Sequence, residues 1–546
     1  MIRTLFTSIS LLFAFILFSP DISAQSQQDR PKLIVGVVVD QMRWDYLYRY
    51  QDRYTEGGFK RMLRQGFTCE NMHIPYSPTA TGPGHACAYT GSVPAVHGIV
   101  GNQWYDRNSK KRINCVEDST VQLVGVESGA LRSPRNLLVT TIGDELKLSN
   151  NMRSKVVGVS FKDRGAILPA GHLSDGSYWY DGSSGRFITS TYFMDELPQW
   201  VKDFNNRKLP DQYLTQTWEP LYPIETYTQS TEDDKPYEGR MIGKETATFP
   251  YDYSSQEGKY GVLSSSIYGN TLTFEMAKAA IEGENLGKGD FTDMLAVSFS
   301  ATDGLGHTVG PNAIEIEDMY LRLDKEFEEF FRHLDSLYGE NGYLFFITAD
   351  HGVSQSPGYL LENGLPAGVF TSDYVEEINT LGKEKYGIDK TVLSVDNYEI
   401  YLNWDEIYAP GKDISKDELL DDIIHIVLQH DGVVDAWINK DLANAPWPEI
   451  TKKMFINGYN AQRGGDISII FRPGWKGGSE QGATHGLWYP FDSHLPLVWM
   501  GWNVPHGYTN RRVEMTDIAP TIAAMLKIQM PSGSIGHPIL EITDKN

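Results

Sequence analysis

Six side chains in four short stretches have the types and spacing to hold metal ions. Asp303 and His307 stand four apart in ATDGLGH, Asp350 and His351 are adjacent in TADHG, His485 lies in QGATHGLW, and Asp40 ends VVVD. Carboxylate oxygen and imidazole nitrogen are ligands for zinc. One such histidine usually does no more than cap or face solvent. Three in glycine-containing loops, two of them beside acids that end strand-like runs, are hard to explain by packing. The count suits two ions: Asp303, His307 and His485 for one, Asp40, Asp350 and His351 for the other, each with an open position. Two metals about 4 Å apart can grip the attacking and leaving oxygens of an in-line displacement.

A hydroxyl completes the set. In TATGPGH, Thr79 to His85, glycine and proline punctuate a turn and a helix is expected to follow. Helix N-termini attract anions, so a phosphoryl group could settle there. Threonine is also a common N-cap, and on this stretch alone that reading leads. Beside two zinc ions, Thr81 becomes a nucleophile whose hydroxyl a metal would activate. Thr79 is the rival, less well placed at the glycine turn.

These residues must be positioned by a larger frame. PKLIVGVVVDQ (31–41), TDMLAVSFSATD (292–303) and YLFFITADHG (343–352) are apolar runs ending in acids. They read as strands of a largely parallel sheet, whose ligands bind beyond the strands' carboxyl ends. KVVGVSFKDR adds a strand, NLLVTTIGDELKLSN and TFEMAKAAIEG read as helices, and GDISIIFRPGW, HLPLVWMGW and TDIAPTIAAMLKI are expected to close the core. The stretch EIEDMYLRLDKEFEEFFRHLDSLYG carries a helical apolar stripe of Met319, Leu321, Leu323, Phe327, Phe330, Phe331, Leu334 and Leu337. The fold class is therefore α/β, a mostly parallel sheet between helix layers. Two segments break the alternation and read as insertions: about 171–270, rich in Tyr, Trp, Ser and Pro, and about 354–463, with a strand LSVDNYEIYLNW and a helix ELLDDIIHIVLQH.

The 546 residues carry a formal net charge of −23 and no basic stretch. No nucleic-acid partner is expected, and an anionic substrate needs a local positive site. Met1-Ile2-Arg3, the apolar run Leu5–Phe18 and Ile22-Ser23-Ala24 predict a signal peptide over 1–24, cleavage near Ala24, and a periplasmic or secreted protein. No later segment is apolar enough for a transmembrane span. The cysteines, Cys69, Cys87 and Cys115, allow one disulfide, with the pairing open.

Taken together, VVVDQ, TATGPGH, GNQW, ATDGLGH, TADHG, ATHGLW and TDIAPT resemble the alkaline phosphatase superfamily, near its nucleotide pyrophosphatase and phosphodiesterase branch. SFKDR narrows the resemblance to phosphate-irrepressible alkaline phosphatases of the PafA type. It spans nearly all of the chain after the signal. It implies one catalytic domain over 25–546, acting as a monomer on small-molecule phosphate monoesters with two Zn2+ and a phospho-threonine at Thr81. It also implies that Asn102, in GNQW, donates to a phosphoryl oxygen, and that Lys162 and Arg164 meet the remaining oxygens. Without it, Lys162 and Arg164 would read as surface charges beside Asp163. Thr81-Gly82-Pro83 is similar to the Thr-x-Pro order of the diesterase branch. A phosphodiesterase or nucleotide pyrophosphatase is the neighbouring alternative, against which Lys162 and Arg164 argue. A non-catalytic metal-dependent binding protein is the alternative from another class, and its mark would be a missing ligand or nucleophile.

Overall fold

A computed structural model describes residues 30–544, so the expected signal peptide lies outside the described residues. At its centre is a sheet of ten strands. In chain order these are β1 (Leu33–Val39), β2 (Phe67–Cys69), β3 (Leu123–Val124), β4 (Val156–Ser160), β5 (Gly176–Asp181), β6 (Arg186–Ser190), β7 (Asp293–Phe299), β8 (Tyr343–Thr348), β9 (Leu497–Gly501) and β10 (Gly507–Thr509). Their spatial order is β10-β2-β9-β8-β1-β7-β4-β5-β6-β3. The inner run β8-β1-β7-β4-β5 is parallel throughout, and β9, β6 and β3 join antiparallel. Strands β1, β4, β7 and β8 are buried along their whole length, as near-continuous Val, Ile, Leu and Phe runs require between two helix layers.

Five helices matter for the site and its packing: α1 (Thr81–Thr90), α2 (Asp163–Ala170), α3 (Ile267–Gly283), α4 (Ala301–Val309) and α5 (Ile314–Tyr338). The apolar stripe of α5 is buried as its period predicts, except Leu337, which is 39% exposed near the helix end. All three cysteines are buried and free.

The molecule departs from the sequence reading in several places. Strands β5 and β6 belong to the main sheet although they lie within 171–270; GSYWYD and RFITS mix aromatic and polar residues, and their apolar content alone does not mark them as core. Ile467–Phe471 is a central strand of a separate four-stranded antiparallel sheet with Val392–Asp396, Glu399–Leu402 and Val433–Ile438, not a main-sheet strand. An apolar run fixes that a strand is buried, not which neighbour it pairs with. LSVDNYEIYLNW is two strands rather than one, reversed at Asn397 and Tyr398, both with positive φ, as a tight hairpin turn demands. This second sheet has its own apolar core, including Ile400, Leu419, Ile423 and Ile467.

Candidate active site

The carboxyl ends of β1, β7 and β8 open onto one shared hollow. Asp40 follows β1 and Asp350 follows β8 by two residues. Asp303 does not sit in a loop: it lies in the first turn of α4, and His307 is four residues on, so both point from one helix face. The helix of TATGPGH begins at Thr81 itself rather than after the glycines, with Ala80 as its N-cap. Pro83 is tolerated in the first turn, where its missing N–H is not needed. Gly84 is there for close approach, because a Cβ at that position would lie 2.7 Å from the Cβ of Asp350.

Asp40, Asp350 and His351 bring one ligand atom each within 4.8 Å of one another, and so do Asp303, His351 and His485. His351 therefore stands between the two groups, stacked on His485 with ring centroids 3.4 Å apart. His307 Nε2 lies 3.1 Å from Asp303 Oδ1, and His485 Nε2 lies 3.8 Å from the same oxygen. Asp40, Asp350 and His351 are fully buried, while the His307 side chain is 38% exposed at the mouth.

The three histidines are oriented alike. Each donates from Nδ1 to a backbone carbonyl: His307 to Ala483 at 2.9 Å, His351 to Gly352 at 2.9 Å, His485 to Thr79 at 2.7 Å. This orients the rings and leaves the Nε2 of His351 and His485 as the ligating nitrogen; for His307 burial acts downward, but the charge of Asp303 and its hydrogen bond to Nε2 raise the imidazole above its ordinary value. Burial and the charges of His351 and His307 push His485 well below the ordinary imidazole range, and burial lowers His351, so both favour the neutral, ligating form. Burial and the neighbouring charges of Asp303 and Asp350 raise the Asp40 carboxyl. For Asp303, burial acts upward, but the charges of His307 and Lys162 outweigh it and hold the carboxyl well below its usual range.

Within these groups, Asp40 Oδ1 and Asp350 Oδ2 are buried without a hydrogen-bond partner among the described residues. Leaving such atoms unsatisfied is costly unless a cation completes them. Oxygen and nitrogen donors in this number, with bare carboxylate oxygens, fit a divalent ion of the zinc type.

Thr81 Oγ1 lies 3.4 Å from His351 Nε2, buried at the N-terminus of α1. Thr79 is brought to a different task. Its hydroxyl donates to the Leu487 carbonyl at 2.8 Å and accepts from the Gly486 N–H at 3.1 Å, pinning the loop that carries His485. Asn102 Oδ1 accepts from the Gly82 N–H at 2.7 Å, so its NH2 is the group left to donate. The Lys162 ammonium pairs with Asp40 Oδ2 at 2.6 Å and Asp303 Oδ2 at 2.5 Å. Burial alone would lower it; the charges of Asp303 and Asp40 more than compensate and raise it. Asp163 pairs closely with Arg132, at 2.5 Å, while Arg164 stays 3.7 Å away with its Nε buried and without a partner among the described residues. Arg164 thus keeps a long ion pair with Asp163, but both side chains are mostly buried, so it is not a surface pair.

With two carboxylate–imidazole groups, a helix-end hydroxyl and two cations in one hollow, phosphoryl chemistry has its parts. Residues 34–502 match the family model described as type I phosphodiesterase / nucleotide pyrophosphatase. Alkaline phosphatase PafA of Elizabethkingia meningoseptica is 47% identical over 521 residues, covering 94% of this chain and 94% of that protein. The chain belongs to this phosphoesterase family, in the branch of the PafA-type alkaline phosphatases. Alkaline phosphatase PhoV of Synechococcus elongatus is 48% identical over 515 residues, covering 94% of this chain and 93% of that protein. A crystal structure of wild-type alkaline phosphatase PafA superposes with a TM-score of 0.92 at 46% identity, covering 94% of this chain and 99% of that one. Membership makes this chain an enzyme of phosphate-ester hydrolysis. Among the described residues no helix is long and apolar enough to cross a membrane.

Sequence reasoning passed over two buried residues of the hollow. His85, one turn after Thr81, donates from Nδ1 to the Thr81 carbonyl at 2.8 Å, lies 2.8 Å from Ser298 Oγ on β7 through Nε2, and sits 3.3 Å from Asp350 Oδ2. Its i, i+4 spacing from Thr81 was the available signal. Gln41 follows Asp40 and touches both candidate groups; nothing in its residue type announces this.

Proposed function

We propose that this chain is an exported, zinc-dependent alkaline phosphatase that hydrolyses small-molecule phosphate monoesters through a phospho-threonine on Thr81. It would act as a monomeric single catalytic domain over 25–546 after loss of residues 1–24. The observation that carries the reading is the gathering of two groups of carboxylate and Nε2 donors that share His351, whose Nε2 lies 3.4 Å from Thr81 Oγ1, with bare buried oxygens on Asp40 and Asp350. Asp40, Asp350, His351 and Thr81 would hold one ion, and Asp303, His307 and His485 the other. Bound there, the ions would supply Lewis-acid stabilisation of the charge that develops on the reacting oxygens.

The chain's own residues do the rest. Thr81 Oγ forms the bond to phosphorus as the ester P–O bond breaks, and the proton lost by Thr81 ends on the departing alcohol; water then adds to phosphorus as the Oγ–P bond breaks, which releases inorganic phosphate and restores the hydroxyl. The NH2 of Asn102, oriented by the Gly82 N–H, donates to a phosphoryl oxygen. Lys162 and Arg164 face the remaining oxygens. A monoester dianion carries more charge on those oxygens than a diester, so two cations reward it more. The neighbouring alternative, a phosphodiesterase, shares fold and ligands. Steady-state kcat/KM on matched aryl phosphate monoester and diester separates the two, for wild type and the Lys162→Ala/Arg164→Ala double variant. A monoester preference that collapses in the double variant is expected. A diester preference untouched by it would mean that this is a phosphodiesterase.

A further inference from the structure

We infer that Gln41 is a positioning residue that locks the two candidate cation groups to one another. It rests on the two-cation reading above. Its backbone N–H donates to Asp350 Oδ1 at 3.1 Å, and its side-chain Nε2 donates to Asp303 Oδ1 at 2.7 Å. One residue thus holds a carboxylate from each group, and its peptide neighbour Asp40 belongs to the first. Asp350 Oδ1 also accepts from the His351 N–H at 3.0 Å, so that oxygen is saturated and Oδ2 is the one left bare. The peptide N–H groups of Gln41 and His351 together turn Asp350 so that Oδ2 is presented, while the Gln41 side chain holds Asp303.

Two further features show that the chain maintains this arrangement against its own preferences. Gln41 has a φ of 68°, a left-handed backbone that is strained for a non-glycine residue, and it is buried. Glycine would relieve that strain, so a residue serving only as filler gains nothing by being Gln. Across the hollow, Gly306 lies on α4 between Asp303 and His307, and a Cβ there would overlap the Gln41 amide oxygen. The missing side chain at 306 is what lets the amide reach Asp303. Side chains that orient metal ligands in this way typically govern affinity by 10- to 100-fold.

The test uses the full chain with Zn2+ and Co2+ as probes. Zn2+ affinity is measured by chelator competition, ligand geometry by the visible absorption of the Co2+-loaded protein, and fold by the thermal midpoint of the metal-free protein. Gln41→Gly removes the amide and relaxes the backbone. Gly306→Ala keeps the amide but drives it off Asp303, in a helix that favours Ala. Both are expected to weaken Zn2+ binding roughly 10- to 100-fold and to alter the Co2+ spectrum, with the metal-free midpoint unchanged or higher for Gln41→Gly. Wild-type affinity and spectrum in Gln41→Gly would overturn the inference, and so would an affinity loss matched by an equal loss of metal-free stability. If Gly306→Ala fails to fold, Gln41→Gly decides alone. Failure of the wild type itself to bind Zn2+ would instead remove the two-cation reading.

Discussion

The Thr81 hydroxyl is buried, at the N-terminus of a ten-residue helix, and within reach of the unbonded nitrogen of His351. A side chain serving as a helix cap would bond the backbone of its own first turn; Ala80 occupies that position and Thr81 caps nothing. Thr81→Ala is accordingly expected to lower kcat on a phosphate monoester by roughly 10³-fold or more, as loss of a nucleophile does, while bound metal measured by elemental analysis stays near wild type. Near-wild-type turnover in that variant would remove Thr81 from the chemistry. At this scale the sequence was legible where a residue's type and its place at a strand end agree, as at Asp40 and Asp350. It was less so for Asp303, because ATDGLGH contains two glycines and reads as a loop, yet winds into α4. It was not legible at Gln41, whose role depends on a left-handed backbone and on a glycine 265 positions away in the chain.

Among the elements, the hairpin joining Val392–Asp396 to Glu399–Leu402 brings the second sheet to the hollow. Asn397 Nδ2 donates to the Gln103 carbonyl at 2.9 Å, and a Cβ on Gly101 would collide with the Asn397 amide. Gly101 and Gln103 flank Asn102. Tyr398, the other turn residue, donates from its hydroxyl to the His485 carbonyl at 3.4 Å. One turn thus braces both the loop of Asn102, the residue proposed to hydrogen-bond a phosphoryl oxygen, and the loop of a candidate ligand. Asn397→Gly keeps the positive φ and removes the bond to Gln103. The loss of one such bond is worth about 0.5–1.5 kcal/mol, so inorganic phosphate is expected to inhibit roughly 2- to 10-fold more weakly, with metal content unchanged. An unaltered inhibition constant would mean that the turn does not brace Asn102. The sequence separated this segment from the parallel core, since its polar, turn-rich start breaks the strand–helix alternation. It could not reveal the docking, because contact between a turn tip and a distant loop leaves no periodicity in either.

Across the whole molecule, the acidic composition places carboxyls inside as well as outside. Glu238 and Glu315 are both about 1% exposed. Burial, followed by the charge of Glu315, pushes Glu238 up to about 8; burial raises Glu315 to about 7, against the stabilising hydrogen bond from the Tyr251 hydroxyl. The segment around Glu238 touches the site's outer wall: the Gly239 N–H donates to the Thr308 carbonyl at 2.8 Å, next to His307, and Tyr237 accepts from the Gly482 N–H at 2.7 Å, three residues before His485. For a carboxyl held above its ordinary value of 4.5, the folded chain keeps a proton that the unfolded chain gives up. Its contribution to stability is full below that ordinary value and is lost as pH rises through about 8, where the buried carboxylate must ionise. At about 1.4 kcal/mol per unit, the loss is on the order of a few kcal/mol. Glu238→Gln deletes this titration while preserving shape and an acceptor for the Lys235 N–H, which Glu238 Oε2 now binds at 3.0 Å. The thermal midpoint of wild type is therefore expected to fall more steeply between pH 5 and pH 9 than that of the variant, with the two curves spreading as pH rises. Parallel curves would show that Glu238 ionises freely in the folded chain, and that the wall beside His307 and His485 holds through alkaline pH without depending on that proton.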